Sequence, residues 1–326
     1  MIITRTPLRI SFAGGGSDMA DFYRKHEAAV LSVTINKYVY LASHPNFTPD
    51  KILLKYRKTE EVSNPHDLEN AIAGSVLSQH KINGLEIQVL ADVPASTGMG
   101  SSSAFAVGLH HLMLTYKNKK TTSEELAKLA CRTEIEKLKS PIGKQDQYAA
   151  AYGGMNLIKF LKSGKVVLEP IKIKLKTLKE LESNLLLFYT GATRPANTVL
   201  AKQRENIKKS SEATAALTRM VEITHHMKTE LELGNLETFG KLLHNSWMLK
   251  QTLADTISNP ELNAHYETAL KNGATGGKLL GAGGGGFFLF YSEKENHARL
   301  RRAMHILREI PFKFSSAGSA IVFDDR

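Results

Sequence analysis

Apolar and polar positions alternate with a period of two in Leu85–Ala91. Leu85, Ile87 and Val89 fall on one side and Glu86 and Gln88 on the other, which predicts a half-buried strand. The opening run Ile2–Ala13 reads as a strand that breaks at Gly14-Gly15-Gly16. Apolar segments over 29–42 and 51–57 add two more strands, with Pro45 and Pro49 in the connection. After Pro94 and a stretch of small residues the pattern becomes that of an apolar helix from about Ser103 to Tyr116. Thr122 stands three residues before Glu125, the spacing of a capping box, and starts a second helix predicted to reach about Lys139, where Pro141 and Gly143 stop it. Gly153-Gly154 then precedes a strand over Met155–Phe160 and an alternating segment at 165–175.

The charged stretch 176–184 is the expected domain boundary, dividing the chain into 1–180 and 181–326. Beyond it the pattern predicts a strand at Leu185–Tyr189 and helices at about 197–210, 212–233 and 236–256, then one that follows Pro260 and ends near Gly273. A strand at Phe287–Tyr291, a basic helix at 295–309 and a closing strand pair around Gly318 complete the chain. Strands and helices are interspersed in both halves, so the expected class is α+β rather than a doubly wound sheet.

Composition narrows the function classes. The chain has 326 residues, 42% hydrophobic and 23% charged, which is enough for about two domains with a sizeable core and excludes global disorder. Its one cysteine, Cys131, excludes an intramolecular disulfide framework and reads as a small buried hydrophobe. No run approaches the roughly 18 apolar residues of a membrane span, and Met1–Pro7 has no signal-peptide core, so no membrane partner and a cytoplasmic location are expected. The net charge of +11 favours anionic partners. Its lysines and arginines are dispersed, however, and Ile171–Lys176 alternates like the wet face of a strand. With no aromatic-basic motif, nucleic acid is not expected as a partner. The histidines offer neither His-x-x-x-His nor a Cys-x-x-Cys companion, so no zinc site is expected.

Candidate chemistry lies in glycine-rich segments. Pro94-Ala95-Ser96-Thr97-Gly98-Met99-Gly100-Ser101-Ser102-Ser103-Ala104 follows a strand and opens a helix. Glycines there let the backbone approach a ligand, and unpartnered N–H groups at a helix start favour polyphosphate. Serine hydroxyls add donors or an oxygen ligand for Mg²⁺. A Walker A loop would need a lysine that is absent. Gly100–Ala104 loosely matches a nucleophile elbow, but the connection from Ala91 is too long for that tight turn. An ordinary flexible loop is the remaining alternative.

Lys278–Gly286 contains Gly281-x-Gly283-x-x-Gly286, the letters of a dinucleotide fingerprint, but it follows a predicted helix and feeds a strand, the reverse of that motif's setting. This counts against a nicotinamide-dependent oxidoreductase and for backbone packed closely on a ligand or another loop. In Pro7–Asp18, Arg9 sits on a strand and Asp18 just past its turn, and an arginine aimed into a site can stabilise transferring phosphoryl charge. Glu134 lies near a helix end and Asp146 beyond a Pro/Gly break. One carboxylate could thus hold a metal while the other meets a substrate hydroxyl, with solvated surface acids as the alternative.

These segments, in this order and at these separations, resemble the three motifs of the GHMP kinases, with Met99 where leucine is usual and Gly14-Gly15-Gly16 where galactokinase has Gly-Glu-His. Pro7–Asp18, Ile142-Gly143-Lys144-Gln145-Asp146-Gln147 and Tyr189-Thr190-Gly191-x-x-Arg194 are most similar to D-glycero-D-manno-heptose 7-phosphate kinases, with fucokinases sharing part of the pattern. The resemblance implies an N-terminal ATP-binding and catalytic domain with a left-handed βαβ crossover, followed by a ferredoxin-like C-terminal domain. It also implies ATP-dependent phosphorylation, for a heptose 7-phosphate at its anomeric hydroxyl to give the 1,7-bisphosphate for activated-heptose biosynthesis. Fucokinase-like, mevalonate-type and homoserine kinases are the alternatives within the family.

Carried over by position, the family's catalytic aspartate falls on Asp146, with Arg9 as the basic residue beside it. Its metal-binding residues fall on Glu134 and Ser102, the latter flanked by Ser101 and Ser103. Pro94, Gly98, Met99, Gly100, Ser101, Ser102 and Ser103 are the expected nucleotide contacts, with ATP and Mg²⁺ as cofactors. Gly15, Gly16, Ser17, Asp18, Arg194, Gly283 and Gly284 are candidate substrate contacts. The expected partner is a small-molecule sugar phosphate, and a homodimer is left open.

Overall fold

The computed structural model describes residues 1–191 and 196–326. In chain order the first half comprises β1 (Ile2–Ala13), α1 (Ala20–Tyr23), β2 (Ala28–Pro45), β3 (Ile52–Lys55), β4 (Thr59–Val62), α2 (Ala71–His80) and β5 (Leu85–Ala91). It continues with α3 (Ser101–Tyr116), α4 (Ser123–Cys131), a π-helical segment Arg132–Lys137, α5 (Gln145–Tyr152), β6 (Met155–Phe160) and β7 (Val166–Pro170). The second half comprises α6 (Leu175–Asn184), β8 (Leu185–Tyr189), α7 (Ala196–Lys209), α8 (Ser211–Leu233), α9 (Leu236–Gln251), α10 (Pro260–Lys271), β9 (Gly276–Leu279), β10 (Phe287–Tyr291), α11 (Lys294–Ala303), β11 (Arg308–Glu309) and β12 (Ala320–Asp324).

The first sheet has the order β12-β1-β2-β5-β3-β4, with β6 and β7 continuing from β2. The long strand β2 pairs with β1 along one edge and shares its other edge between β6 and β5. All these pairs are antiparallel except β3 with β5, which α2 connects. The second sheet has the order β11-β8-β10-β9. That is the strand order of a split βαβ, ferredoxin-like unit, with α7–α10 and α11 as its crossovers. Every residue of β10, Phe287-Phe288-Leu289-Phe290-Tyr291, is buried, as befits a central strand covered on both faces. Helix α8 packs on β1 and β2, while α9 packs on α8, β9 and β1, so helices of the second half close over the strand that carries Arg9. The rings of Phe12 and Phe239 meet edge-on there at 5.1 Å.

Several elements differ from the sequence pattern. Helix α3 begins at Ser101, so all three serines lie in its first turn rather than in the preceding loop. The single helix expected up to Lys139 is α4 followed by the wider π turn, with Leu138 N–H reaching Thr133 O at 3.0 Å. Asp146, read only as lying beyond the Pro141–Gly143 break, stands in the first turn of a further helix, α5. The alternation over 171–175 forms no strand, and the charged stretch 176–184 folds as amphipathic α6, burying Leu181. Strand β9 separates α10 from the glycine run, which therefore joins two antiparallel strands. No strand pair closes the chain around Gly318: β12 returns to the first sheet beside β1, while residues up to Glu309 belong to the second. Among the described residues no helix is long and apolar enough to cross a membrane.

Candidate active site

Arg9 lies in the middle of β1 with its side chain buried against the loop before α3. Its Nε and Nη2 donate to Asp146 Oδ1 and Oδ2 at 2.7 and 2.8 Å, and Nη1 donates to Gly98 O at 2.6 Å. Two parallel N–H···O bonds between planar groups fix the carboxylate in direction as well as position. The Asp146 side chain keeps 24% of its surface open. It faces Gly100, where a Cβ would stand 3.2 Å from Oδ2.

That loop is shaped by contact with the other glycine run. Gly98 has φ +83°, and a Cβ there would be driven into Leu280 O, while one on Gly281 would overlap Gly98 itself. Glycine is required at this crossing because two backbones touch. Gly100 then caps α3 without a side chain, leaving the first N–H groups of the helix without a side-chain acceptor. Ser101 and Ser102 are accessible at this end. Met99 instead buries its side chain in the core and offers only its carbonyl, to Arg9 N–H at 3.2 Å. Pro94 is exposed at the mouth of the loop, its carbonyl accepting from Thr97 Oγ1 at 2.9 Å.

Glu134 projects from the π turn to the same helix end. Its Oε1 accepts from Ser102 Oγ at 2.8 Å, and Oε2 accepts from Ser103 Oγ at 2.8 Å and from Gln147 Nε2 at 2.7 Å. Burial raises its pKa above the ordinary carboxylate value, and the three donors pull the other way. Short π segments inside helices recur at functional sites because the extra residue re-aims a side chain.

A glycine loop opening a helix, a serine–glutamate pair at its first turn and an arginine-clamped aspartate facing it have counterparts in known proteins. Residues 68–154 match the GHMP kinases N terminal domain and residues 227–308 the GHMP kinases C terminal domain. A D-glycero-alpha-D-manno-heptose 7-phosphate kinase of Campylobacter jejuni is 31% identical over 317 residues, covering 93% of each chain. The chain belongs to the GHMP kinases. Among solved structures, a D-glycero-D-manno-heptose 1-phosphate kinase from Bacteroides thetaiotaomicron shares the fold at TM-score 0.81 with 24% identity, covering 100% of both chains. A sugar kinase of Campylobacter jejuni, described as putative, superposes at TM-score 0.77 with 30% identity over 98% of each chain.

In this GHMP kinase the other expected site residues are placed less uniformly. Ser17 and Asp18 were candidates for substrate hydroxyls, but both are buried and spend their groups on the protein. Ser17 Oγ donates to Ala29 O at 3.1 Å. Asp18 accepts from Gly16 N–H at 3.0 Å, Gln145 N–H at 3.0 Å and Gln145 Nε2 at 3.3 Å. Asp18 thus supplies an acceptor to the first turn of α5, the turn that carries Asp146. Burial pushes its pKa up, the Gln145 amide opposes and the charge of Asp146 adds to the rise.

Gly15 lies under Gln145 and Ser11, with a Cβ there 3.5 Å from Gln145 Nε2. Gly16 lies under Gln203 of α7. Ser11 Oγ, Gln145 Oε1 and Gln203 Nε2 are buried without a hydrogen-bond partner among the described residues. Gly283 and Gly284 are packed on the α9–α10 connection instead of standing free for substrate: Gly284 N–H donates to Ile257 O at 2.9 Å, and a Cβ on Gly283 would stand 2.7 Å from that carbonyl. Arg194 lies outside the described residues.

Sequence reading missed Gln147, Gln203 and Lys250. Lys250 is 4% exposed on α9, and burial holds its pKa down to about 8, with Arg9 acting the same way and Asp18 and Asp146 opposing. A signal for it exists in the sequence, because Leu243, Trp247 and Lys250 fall on one helical stripe and a lysine there must go inside.

Proposed function

We propose that this GHMP kinase transfers the γ-phosphoryl group of ATP to the anomeric hydroxyl of D-glycero-D-manno-heptose 7-phosphate, giving the 1,7-bisphosphate. The observation that carries the transfer is the Arg9–Asp146 clamp facing the open start of α3. Phosphoryl transfer asks a protein mainly for positioning and charge stabilisation, and these residues supply both.

The backbone amides of 98–103 cradle the β- and γ-phosphates at the positive end of the helix. Asp146 accepts the proton of the acceptor hydroxyl as its oxygen bonds to the γ-phosphorus and the bond to the ADP oxygen breaks. Arg9 holds that carboxylate still and lies beside the charge in transit. Hard oxygen donors suit Mg²⁺, and Ser102 Oγ and Glu134 Oε1, 2.8 Å apart in a hydrogen bond, would hold it. Bound there, the ion would supply charge neutralisation to the nucleotide's phosphates. Glu134 as a single carboxylate ligand fits this ion, which is usually bound by one or two carboxylates plus substrate phosphates rather than by a protein cage.

The choice of acceptor is supported by the 31% identity to a heptose 7-phosphate kinase over nearly the whole chain. ADP release would be measured with heptose 7-phosphate, fucose, galactose, mevalonate and homoserine. Turnover is expected to be fastest with heptose 7-phosphate. A faster rate with any of the others overturns the acceptor, and an Asp146→Asn enzyme as fast as the wild type overturns the mechanism.

A further inference from the structure

Two lysines from the second half of the chain are buried beside the Arg9–Asp146 clamp. Lys250 donates from Nζ to Gly281 O. Lys278 of β9, 2% exposed, donates to Phe12 O at 3.1 Å. An ammonium has three donors, and among the described residues each of these makes one hydrogen bond, to a neutral carbonyl, and no ion pair. Burying a cation without a counter-ion is costly, and ionisable groups perturbed in this way cluster at functional sites.

The charged groups facing Lys250 are Arg9 from β1, Asp18 from the turn after it, Asp146 from α5 and Lys278 from β9. Both aspartates are committed, Asp146 to Arg9 and Asp18 to the amides of Gly16 and Gln145. Burial and the charges of Lys250 and Arg9 push the Lys278 pKa well below its ordinary value, so the ammonium left without a counter-ion is that of Lys250. It lies behind Gly281, the residue pressed onto Gly98 of the phosphate loop.

We propose that Lys250, backed by Lys278, is a phosphoryl-binding residue of the site: the second half of the chain contributes a buried ammonium that takes anionic oxygens at the junction of the two glycine loops. The proposal rests on the kinase reading above. The phosphoryl group comes from the nucleotide's terminal phosphate or from the phosphate of the acceptor, and the two sources are separable by kinetics. A lysine with a pKa of about 8 would also give the rate an alkaline limb near that pH.

The test compares the full-length wild type with Lys250→Met and Lys250→Arg. Removing a buried charge that serves only binding is expected to raise the Tm of Lys250→Met in ligand-free buffer, whereas a structural lysine would lower it. Millimolar inorganic phosphate is expected to raise the wild-type Tm by about 2–4 °C and that of Lys250→Met by less than half as much. Equal shifts overturn the proposal. A kcat loss of about 100-fold or more in Lys250→Met with both KM values kept assigns the transferred phosphoryl, and a raised acceptor KM with kcat kept assigns the acceptor's phosphate. Unchanged kcat and KM values overturn the proposal. If Lys250→Met does not fold, Lys250→Arg decides: its guanidinium stays charged, so the alkaline limb should move above pH 8, and an unmoved limb overturns the assignment. The phosphate-induced Tm shift needs no sugar, so failure of the heptose reading would show separately, as a wild type that binds phosphate but turns over no sugar phosphate.

Discussion

Arg9 and Asp146 are 137 positions apart in the chain, yet two hydrogen bonds of 2.7 and 2.8 Å lock the guanidinium to the carboxylate. The same arginine holds Gly98 O, so one side chain sets both the loop that would receive phosphates and the acid that would receive a proton. Asp146→Asn keeps the size of the side chain and removes its basicity. A positioned base contributes on the order of 10²–10⁴ in rate, so kcat is expected to fall by about that factor with the KM for ATP little changed. Arg9→Lys loses the fork and should lower kcat while leaving a folded enzyme. Steady-state kinetics on both variants checks this, and an undiminished kcat in Asp146→Asn would refute the base.

Much of this arrangement was legible in the residues. Leu85 and Ile87 alternate with Glu86 and Gln88 because that end of β5 buries one face and wets the other, and the observed bounds agree with the pattern, although Leu90 is exposed. Arg9, Glu134 and Asp146 stand out through the glycine segments around them. Helix α5 was hidden because it is short and its Ala149-Ala150-Ala151 run shows no amphipathic period. The π turn was hidden because a one-residue widening leaves no mark on hydrophobic spacing. The roles of Ser17 and Asp18 could not be read locally, since their partners, Ala29 O and the Gln145 amide, are fixed only by tertiary folding.

Glu134 and Ser102 are the pair proposed to hold Mg²⁺. Glu134→Gln keeps an oxygen for Ser102 or Ser103 but loses the charge, and loss of one metal-ligating group should raise the Mg²⁺ concentration for half-maximal rate by about tenfold or more. Ser102→Ala leaves the carboxylate in place and should have a smaller effect in the same direction. Initial rates over an Mg²⁺ titration at fixed ATP measure both. Equal Mg²⁺ requirements in wild type and Glu134→Gln would remove Glu134 from the metal site.

Gly143 carries no side chain because Asp18 occupies the space. A Cβ at 143 would overlap the Asp18 carboxylate, the group that receives the Gln145 N–H. Gly143→Ala must therefore move Asp18 or the start of α5, and overpacking of this kind costs about 1–3 kcal/mol. A fall in Tm is expected together with a lower kcat, because Asp146 follows Gln145 directly. Gly164→Ala, strained by the φ of +89° in the turn between β6 and β7, should also lower the Tm but leave kcat unchanged. Matching kcat values for Gly143→Ala and wild type would show that Asp18 does not position the aspartate.

His80 and His110 share a hydrogen bond of 2.9 Å, and the far ring nitrogen of His110 meets Thr133 Oγ1, also at 2.9 Å, in the π turn next to Glu134. Burial pushes the His80 pKa down to about 4, helped by the charge of Lys117, and that of His110 down to about 3, helped by His80. Both start from an ordinary value of 6.5. Folded values below the unfolded one mean that the unfolded chain takes up protons first as pH falls. The stability contributed by the neutral pair is therefore complete above pH 6.5 and is lost as the pH drops towards 4 and then 3. Asp18 and Glu134, held above the ordinary carboxylate value by burial, act in the opposite sense, so the informative quantity is a difference between proteins. Tm measured from pH 7 downward should fall more gently in His80→Gln than in the wild type, because one proton fewer is taken up on unfolding. Parallel curves would mean that the histidine pair is not what acid releases from the wall behind Glu134.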